Sequence, residues 1–391
     1  MRKPVNPPEV FALTGGLIFD GQDFLSDYAV VIHHGIIHAV QPERELPAST
    51  ATVPVDGAVI APGFVDLQLN GCGGVMFNDS ITAETLDIMH GANLKSGCTS
   101  FLPTLVSTTG DDMRTAMRVV ARYRKERGTA SVLGLHLEGP YINKARKGIH
   151  NEAHIRPLGR AMREELRAYA RTVPLMLTLA PECVDAEDIR AFADAGVVVS
   201  LGHSAAGYEQ AKRGIKAGAR AATHLFNGMP PWQSREPGIV GAVLDSPDLV
   251  CGIIADGHHS HFASVRLAKR LKQEQCFLVT DATAPVGTDM TEFTFCGQTV
   301  YVRNDMCVNA NGTLGGSNLT MIRAVRNCVN HVGIAPGEAL RMASVYPARL
   351  MGRETEVGGI APGKHANLAL FSPLTFAMIA TVDRGKLHVW K

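Results

Sequence analysis

The middle of the chain alternates short runs of apolar residues with longer segments of helical character. This order of elements is typical of a parallel sheet covered by helices. Eight apolar runs fit strands, and they lie at 59–67, 99–102, 132–137, 175–179, 197–201, 221–225, 250–254 and 277–280. Eight strands suit a closed (β/α)8 barrel of the TIM type, whose functional groups lie at the carboxyl ends of the strands.

Both ends of the chain are rich in short β-type runs separated by turn residues. Such runs lie at 11–13, 28–32 and 35–40 near one end, and at 367–371 and 386–390 near the other. Each end alone has too few strands to be stable, so we expect the two ends to build one small β-sandwich domain together. The predicted division is residues 1–62 plus 352–391 for this domain and 63–351 for the barrel.

Two further elements are predicted after the eighth barrel strand. Residues 291–302 alternate in polarity as a strand should, which favours a β-hairpin within 282–320. A helix over 338–351 is expected to close the barrel region.

Composition and charge narrow the class of protein. The 391 residues are 46% hydrophobic and 19% charged, as in a globular protein. The 38 basic and 37 acidic side chains are interspersed, so no nucleic-acid partner is expected. No apolar stretch approaches the roughly 18 residues of a membrane-spanning helix, and the first residues lack the apolar run of a signal peptide. The eight cysteines form no Cys-x-x-Cys pair, which favours reduced thiols and a cytoplasmic location.

Polar residues follow six of the eight predicted strands. They are Gln68 and Asn70 after the first strand, Glu138 after the third, His203 after the fifth, His224 at the end of the sixth, Asp256 and His259 after the seventh, and Asp281 after the eighth. Each alone has an ordinary structural explanation, since a single histidine after a strand is more often a hydrogen-bonded core or surface residue. One carboxylate and two imidazoles at one barrel mouth, however, supply three ligands and leave a position for water. That is the arrangement of a catalytic zinc site.

Ten short segments carry a resemblance to a known family. They lie at 61–66 (APGFVD), 68–71 (QLNG), 137–141 (LEGPY), 147–151 (KGIHN), 201–204 (LGHS), 223–227 (THLFN), 235–238 (REPG), 255–259 (ADGHH), 279–282 (VTDA) and 312–317 (GTLGGS). In this order they resemble the N-acetylglucosamine-6-phosphate deacetylase family of the amidohydrolase superfamily. The resemblance covers essentially the whole chain and implies hydrolysis of the acetamide of an amino-sugar phosphate.

The resemblance also implies roles for individual residues. The expected metal ligands are Glu138, His203 and His224. Asp281 matches the acid-base carboxylate, and His150 matches the histidine that polarises the substrate carbonyl. The residues expected to bind the amino-sugar phosphate are Gln68, Asn70, Ile149, Asn227, Gly228, Arg235, Asp256, His259, Leu314, Gly315 and Gly316.

One difference from the wider superfamily bears on the number of metal ions. Most of its members carry His-x-His after the first strand, whereas this chain has Gln68 and Asn70 at those two positions. Amides are poor ligands beside imidazoles, so we expect one divalent ion per chain and a second site that is absent or weak. Zinc is the expected ion, although the same ligands accept iron, cobalt or manganese.

Two alternatives stay open. A deacetylase of N-acetylgalactosamine 6-phosphate would share the chemistry, but it usually retains His-x-His after the first strand. A catalytically inactive barrel could act as a binding protein, which the joint presence of the expected ligands and of Asp281 disfavours. A homodimer is a family expectation, and no membrane partner is expected.

Overall fold

The computed structural model describes residues 8–390. The signal-peptide prediction concerns the first residues and falls largely on residues 1–7, which lie outside the described part. Seven strands precede the barrel: β1 (Val10–Thr14), β2 (Leu17–Phe19), β3 (Phe24–Leu25), β4 (Tyr28–His33), β5 (Ile36–Pro42), β6 (Thr52–Pro54) and β7 (Val59–Pro62). Four of them form a sheet in the order β5-β4-β1-β6.

Eight parallel strands then form the barrel. They are β8 (Phe64–Leu69), β11 (Cys98–Val106), β12 (Leu135–Glu138), β13 (Leu175–Leu179), β14 (Val198–Leu201), β15 (Ala221–Ala222), β16 (Val250–Ile253) and β17 (Cys276–Leu278). A short hairpin of β9 (Gly71–Cys72) and β10 (Val75–Met76) lies between β8 and β11 in the chain. Each barrel strand pairs with its neighbour in chain order. A parallel bridge between Leu69 and Ala282 brings the segment after β17 against β8. The predicted (β/α)8 barrel is confirmed.

Helices cover the barrel. They are α1 (Ala83–Leu94), α2 (Gly110–Arg127), α3 (Arg160–Ala170), α4 (Ala186–Asp194), α5 (Tyr208–Lys216), α6 (Gly238–Leu244), α7 (Phe262–Lys272), α8 (Met321–Asn327), α9 (Pro336–Ala343) and α10 (Val345–Leu350). Local signals explain their ends: Thr109 caps α2 by accepting a hydrogen bond from the Asp112 amide, and α2 stops at Gly128, whose φ is +90°. Within residues 8–390, no helix has both the length and the apolar character to cross a membrane.

A four-stranded antiparallel sheet follows the eighth barrel strand. It consists of β18 (Glu292–Phe295), β19 (Gln298–Arg303), β20 (Met306–Asn309) and β21 (Leu314–Ser317), and we call it the mouth sheet. The predicted hairpin corresponds to β18 and β19. Apolar side chains of the mouth sheet pack against the barrel mouth in one cluster that includes Met76, Val106, Ile149, Phe293, Phe295 and Val300.

Strands from both ends of the chain form a second sheet of the small β-domain. The last three, β22 (Leu368–Phe371), β23 (Met378–Asp383) and β24 (Lys386–Val389), continue into a six-stranded sheet of order β24-β23-β22-β7-β2-β3. One hydrophobic cluster joins this sheet to the four-stranded one, with Leu13 and Ile32 from one sheet and Ile60 and Leu368 from the other. The prediction of a small β-sandwich from both chain ends is confirmed.

The predicted strand 59–67 is wrong, because the chain changes sheets at Gly63. The Gly63 amide donates to the carbonyl of Asn367 over 2.8 Å, whereas the Phe64 amide donates to the carbonyl of Gly97, next to β11, over 2.9 Å. A Cβ at Gly63 would lie 2.2 Å from the Thr99 hydroxyl, so the crossing point needs glycine. The run therefore forms two strands, β7 and β8.

The single helix predicted over 338–351 is also wrong. The structure has two helices, α9 and α10, which meet at Ser344 with φ of −137° and ψ of −67°. Pro347 explains the break, because proline has no amide hydrogen and its ring clashes with the carbonyl four residues earlier, here that of Ala343.

Candidate active site and metal centre

A cavity of about 290 Å³ lies at the carboxyl ends of the barrel strands, under the mouth sheet. This volume is close to the lower limit of small-molecule sites, which span roughly 300–1,000 Å³. Most of the predicted site residues line it: Asn70, Glu138, Ile149, His150, His203, His224, Asn227, Gly228, His259, Asp281, Leu314 and Gly316. The residues predicted at the strand ends therefore meet in this one cavity, where acid-base groups, imidazoles and backbone atoms lie close together.

Three donor atoms converge at the floor of this cavity. Oε1 of Glu138 lies 3.0 Å from Nε2 of His203 and 2.9 Å from Nε2 of His224, and the two Nε2 atoms are 3.1 Å apart. All three residues are buried. His150 is close as well, since its donor atom, one of Glu138 and one of His203 lie within 4.8 Å of one another. The first triplet is the tighter one, and it matches the predicted ligand set.

The chemistry of this triplet fits a divalent metal. Nδ1 of His203 lies 2.8 Å from the carbonyl oxygen of Arg146, and a carbonyl only accepts, so Nδ1 carries the proton and Nε2 offers a lone pair. A carboxylate and two imidazoles that face one point need a cation among them, and they are the donor set of a catalytic metal site.

His150 stands beside this triplet as a hydrogen-bond donor. The Ser107 amide donates to Nδ1 of His150 over 3.4 Å, and the Ser107 hydroxyl lies 2.8 Å from the same atom. Nδ1 is therefore the acceptor, which leaves the proton on Nε2. Burial lowers the pKa of His150 to about 3, so its ring is neutral. A neutral imidazole with a free Nε2–H can donate to a carbonyl oxygen.

Two amides hold the carboxylates of the site. The side-chain amide of Gln68 donates to Glu138 over 3.1 Å and to Asp281 over 3.2 Å, and that of Asn70 donates to Asp281 over 2.6 Å. Burial and the neighbouring charge of Glu138 raise the pKa of Asp281 to about 6. Asp281 is thus a hydrogen-bonded carboxyl whose pKa is suited to proton transfer near neutrality.

Three of these residues have unusual backbone conformations. His203, His224 and Asp281 lie just beyond β14, β15 and β17, with φ angles of +47°, +29° and +53°. Positive φ is uncommon for residues other than glycine, and such strain clusters at functional sites. The strand ends are therefore shaped for the cavity at some cost in conformational energy.

The seventh strand supplies a positioned histidine. Oδ2 of Asp256 lies 2.6 Å from Nδ1 of His259, and Oδ1 accepts hydrogen bonds from the amides of His258 and His259, each over 2.8 Å. Burial would raise the pKa of Asp256, but His259 and these amides lower it. His259 lines the cavity whereas Asp256 does not. Asp256 therefore orients His259, whose Nε2 remains for a ligand.

Glycines allow close approach of the backbone to the site. Gly228 has φ of +62°, and a Cβ there would lie 2.9 Å from Nδ1 of His203. Gly316 has φ of +64°, and a Cβ there would lie 2.4 Å from Cγ2 of Thr283 and 2.8 Å from the carbonyl oxygen of Asp281. Side chains at either position would displace a residue of the site.

Some predicted residues lie elsewhere. Gln68 lies between the two carboxylates, and neither it nor Gly315 lines the cavity. Arg235 is exposed in the segment 230–237, away from the cavity lining. The cavity also contains residues that the sequence analysis missed: Val106, Gly148, Phe295, Gly312 and Thr313. The matching segments at 147–151 and 312–317 could have indicated the polar part of this set.

Comparisons with known proteins agree with this geometry. Residues 59–387 match the amidohydrolase family, and residues 10–60 match the NagA composite domain. An N-acetylglucosamine-6-phosphate deacetylase from Haemophilus influenzae is 42% identical over 384 residues, which are 97% of this chain and 99% of the relative. An N-acetylgalactosamine-6-phosphate deacetylase from a Shewanella species is 38% identical over 90% of this chain and 91% of its own length.

A solved structure gives the same result. The crystal structure of N-acetylglucosamine-6-phosphate deacetylase from Pasteurella multocida superposes with a TM-score of 0.94 at 42% identity, and the match covers 97% of this chain and 100% of that one. The family membership, the triplet of Glu138, His203 and His224, and the nearby donor atom of His150 together support a divalent metal centre. The chain belongs to the N-acetylglucosamine-6-phosphate deacetylase family of the amidohydrolases.

Proposed function

We propose that this protein hydrolyses N-acetyl-D-glucosamine 6-phosphate to D-glucosamine 6-phosphate and acetate. The observation that carries the proposal is the meeting of Glu138, His203, His224, His150 and Asp281 in one buried cavity at the barrel mouth. The sequence identity of 42% to a relative named for this activity, over nearly the whole of both chains, supports the choice of substrate.

The residues divide the work of amide hydrolysis. A divalent ion held by Glu138, His203 and His224 would supply Lewis-acid polarisation and a more acidic water. Asp281 accepts the proton of the attacking water and later returns it to the leaving amine, which amide cleavage requires. His150 donates from Nε2 to the carbonyl oxygen as negative charge develops there, and losing one such donor typically costs about 2.7–4 kcal/mol.

The remaining contacts belong to the sugar phosphate. We assign them to Asn70, Asn227, His259 and the backbone of 314–316, with Arg235 as the cation for the phosphate. Gln68 and Asp256 act through their neighbours. We further propose one zinc ion per chain, a cytoplasmic homodimer, and the division into residues 1–62 plus 352–391 and 63–351.

Acetate release from N-acetylglucosamine 6-phosphate by metal-analysed protein tests the proposal. The epimer N-acetylgalactosamine 6-phosphate, which the name of the Shewanella relative gives as its substrate, is assayed in parallel. A higher kcat/KM on the galactosamine substrate would reassign the enzyme to that epimer. The absence of acetate from both substrates, with metal bound, would favour a binding protein.

A further inference from the structure

Part of the cavity wall is apolar and lies beside the candidate metal ligands. Val106 is the last residue of β11, and in the parallel register of β11 and β12 it pairs with Glu138. Both residues line the cavity. The next residue, Ser107, makes the hydrogen bond that holds His150. Val106 is therefore the strand partner of a candidate metal ligand and the chain neighbour of the residue that holds His150.

Phe295 of the mouth sheet completes this wall. It is only 1% exposed, lines the cavity, and packs in the same hydrophobic cluster as Val106 and Ile149. The wall is also held from behind. The amide of Val106 donates to Oδ1 of Asn78 over 3.0 Å, and the Asn78 side chain donates to the carbonyl of Val106 over 3.1 Å. Both the backbone and the packing thus limit movement of the wall.

The proposed substrate has one small apolar group, the methyl of its acetyl group. The methyl is bonded to the carbonyl carbon, which must lie near His150 and Glu138 during hydrolysis. Hydroxyls and phosphate need polar partners, which the rest of the lining supplies through Asn227, His259 and the backbone of 312–316. On the basis of the proposed function, we infer that Val106 and Phe295 form an acyl subsite that accepts a methyl group and excludes longer acyl chains.

A series of acyl substrates tests this inference. N-acetyl-, N-propionyl- and N-butyryl-glucosamine 6-phosphate all release the same amine, so one assay follows all three. Val106→Ala and Phe295→Leu are expected to raise the ratio of kcat/KM for propionyl over acetyl by about tenfold or more, since one methylene changes selectivity by roughly 10–200-fold. The ratio is taken within each variant, so a partial loss of folded enzyme cancels.

Phe293→Leu is the matched control. Phe293 lies two residues before Phe295 on β18, with ring centroids 6.5 Å apart, and it belongs to the same cluster but does not line the cavity. In Phe293→Leu, the ratio of kcat/KM for propionyl over acetyl should stay at the wild-type value. An unchanged ratio in Val106→Ala and Phe295→Leu, or an equal rise in Phe293→Leu, would overturn the subsite.

Filling the subsite provides an independent test. Val106→Ile should lower kcat/KM for the acetyl substrate relative to the N-formyl substrate, and an unchanged ratio would again count against the subsite. Wild-type enzyme with no activity on the acetyl substrate would refute the proposed function instead. Wild-type activity with unchanged ratios in the variants would refute the acyl subsite alone.

Discussion

The side-chain amide of Asn70 donates a 2.6 Å hydrogen bond to the carboxylate of Asp281. Gln68 donates to the same carboxylate and to Glu138. Where the wider superfamily carries two histidines, this chain has two amides, and Gln68 joins the candidate metal ligand to the candidate base. Hydrogen bonds to charged groups contribute about 1.5–3 kcal/mol each, so Gln68 helps to fix the distance between the two carboxylates and Asn70 helps to hold Asp281.

Asp281→Asn should separate proton transfer from metal binding. We expect kcat to fall by about 10²–10⁴-fold, the usual contribution of a general acid-base group, while the bound metal is retained. Glu138→Ala is the comparison, because it removes the only charged donor of the triplet and should abolish both metal binding and activity. Metal analysis after dialysis, alongside acetate release, distinguishes the two variants. Loss of metal from Asp281→Asn would make Asp281 a ligand.

Arg235→Ala tests the assignment of the phosphate cation. Arg235 is exposed and has no hydrogen-bond or ion-pair partner within the described part of the chain, so its replacement should leave the melting temperature unchanged. We expect KM for N-acetylglucosamine 6-phosphate to rise about tenfold or more, because an arginine–phosphate pair is charge-assisted. Activity on unphosphorylated N-acetylglucosamine should change little. Equal losses on the two substrates would show that Arg235 does not act on the phosphate.

The barrel was predictable because its strands are buried on both faces and therefore read as continuous apolar runs. The exceptions are positions where a proline or a glycine changes where a strand or helix begins or ends. The predicted second strand ended at Leu102, just before Pro103, but β11 continues to Val106, pairing with β12 in regular register and with β8 with shifts in register. For this reason, the prediction missed Val106, which ends this strand and lines the cavity.

The polar half of the cavity was predictable, whereas Val106 and Phe295 in its apolar wall were not. Glu138, His203, His224 and Asp281 each have an ordinary explanation alone, but together at the strand ends of one barrel they form a recognisable set of ligands and acid-base groups. A valine or a phenylalanine in a cavity wall has the same sequence signature as one in the core. The role of Gln68 depends on the meeting of strands three and eight in space, which a reading along the chain does not show.

The acid stability of the protein should depend on Asp383. Burial would raise the pKa of this carboxyl, but the hydrogen bond and charge of His90, together with Arg384, lower it to about 2. A lowered pKa stabilises the fold above the unfolded value near 3.9, and this contribution disappears as the pH falls towards 2. The shift corresponds to about 2 kcal/mol at neutral pH.

Asp383→Asn should therefore lower the melting temperature by a few degrees at pH 7, and the difference from wild type should vanish near pH 2. Thermal unfolding of both proteins at matched pH measures this, and effects of acid common to both cancel in the difference. Exposed Asp194 provides the control, since Asp194→Asn should change little at either pH. A difference for Asp383→Asn that stays constant from pH 7 to pH 2 would show that the pair stabilises by packing alone.

The number of metal ions should follow from Gln68 and Asn70. Both amides already lie within 3.2 Å of Asp281, so replacing both by histidine would place imidazoles beside that carboxylate and create a second set of strong donors. We expect one metal equivalent in the wild type after exhaustive dialysis and close to two in the double histidine variant. Activity need not rise, because a second ion would draw Asp281 into coordination and reduce its basicity. Asn70→Ala removes the amide without adding a ligand and should keep one equivalent. Two tightly bound equivalents in the wild type, both required for activity, would refute the mononuclear mechanism.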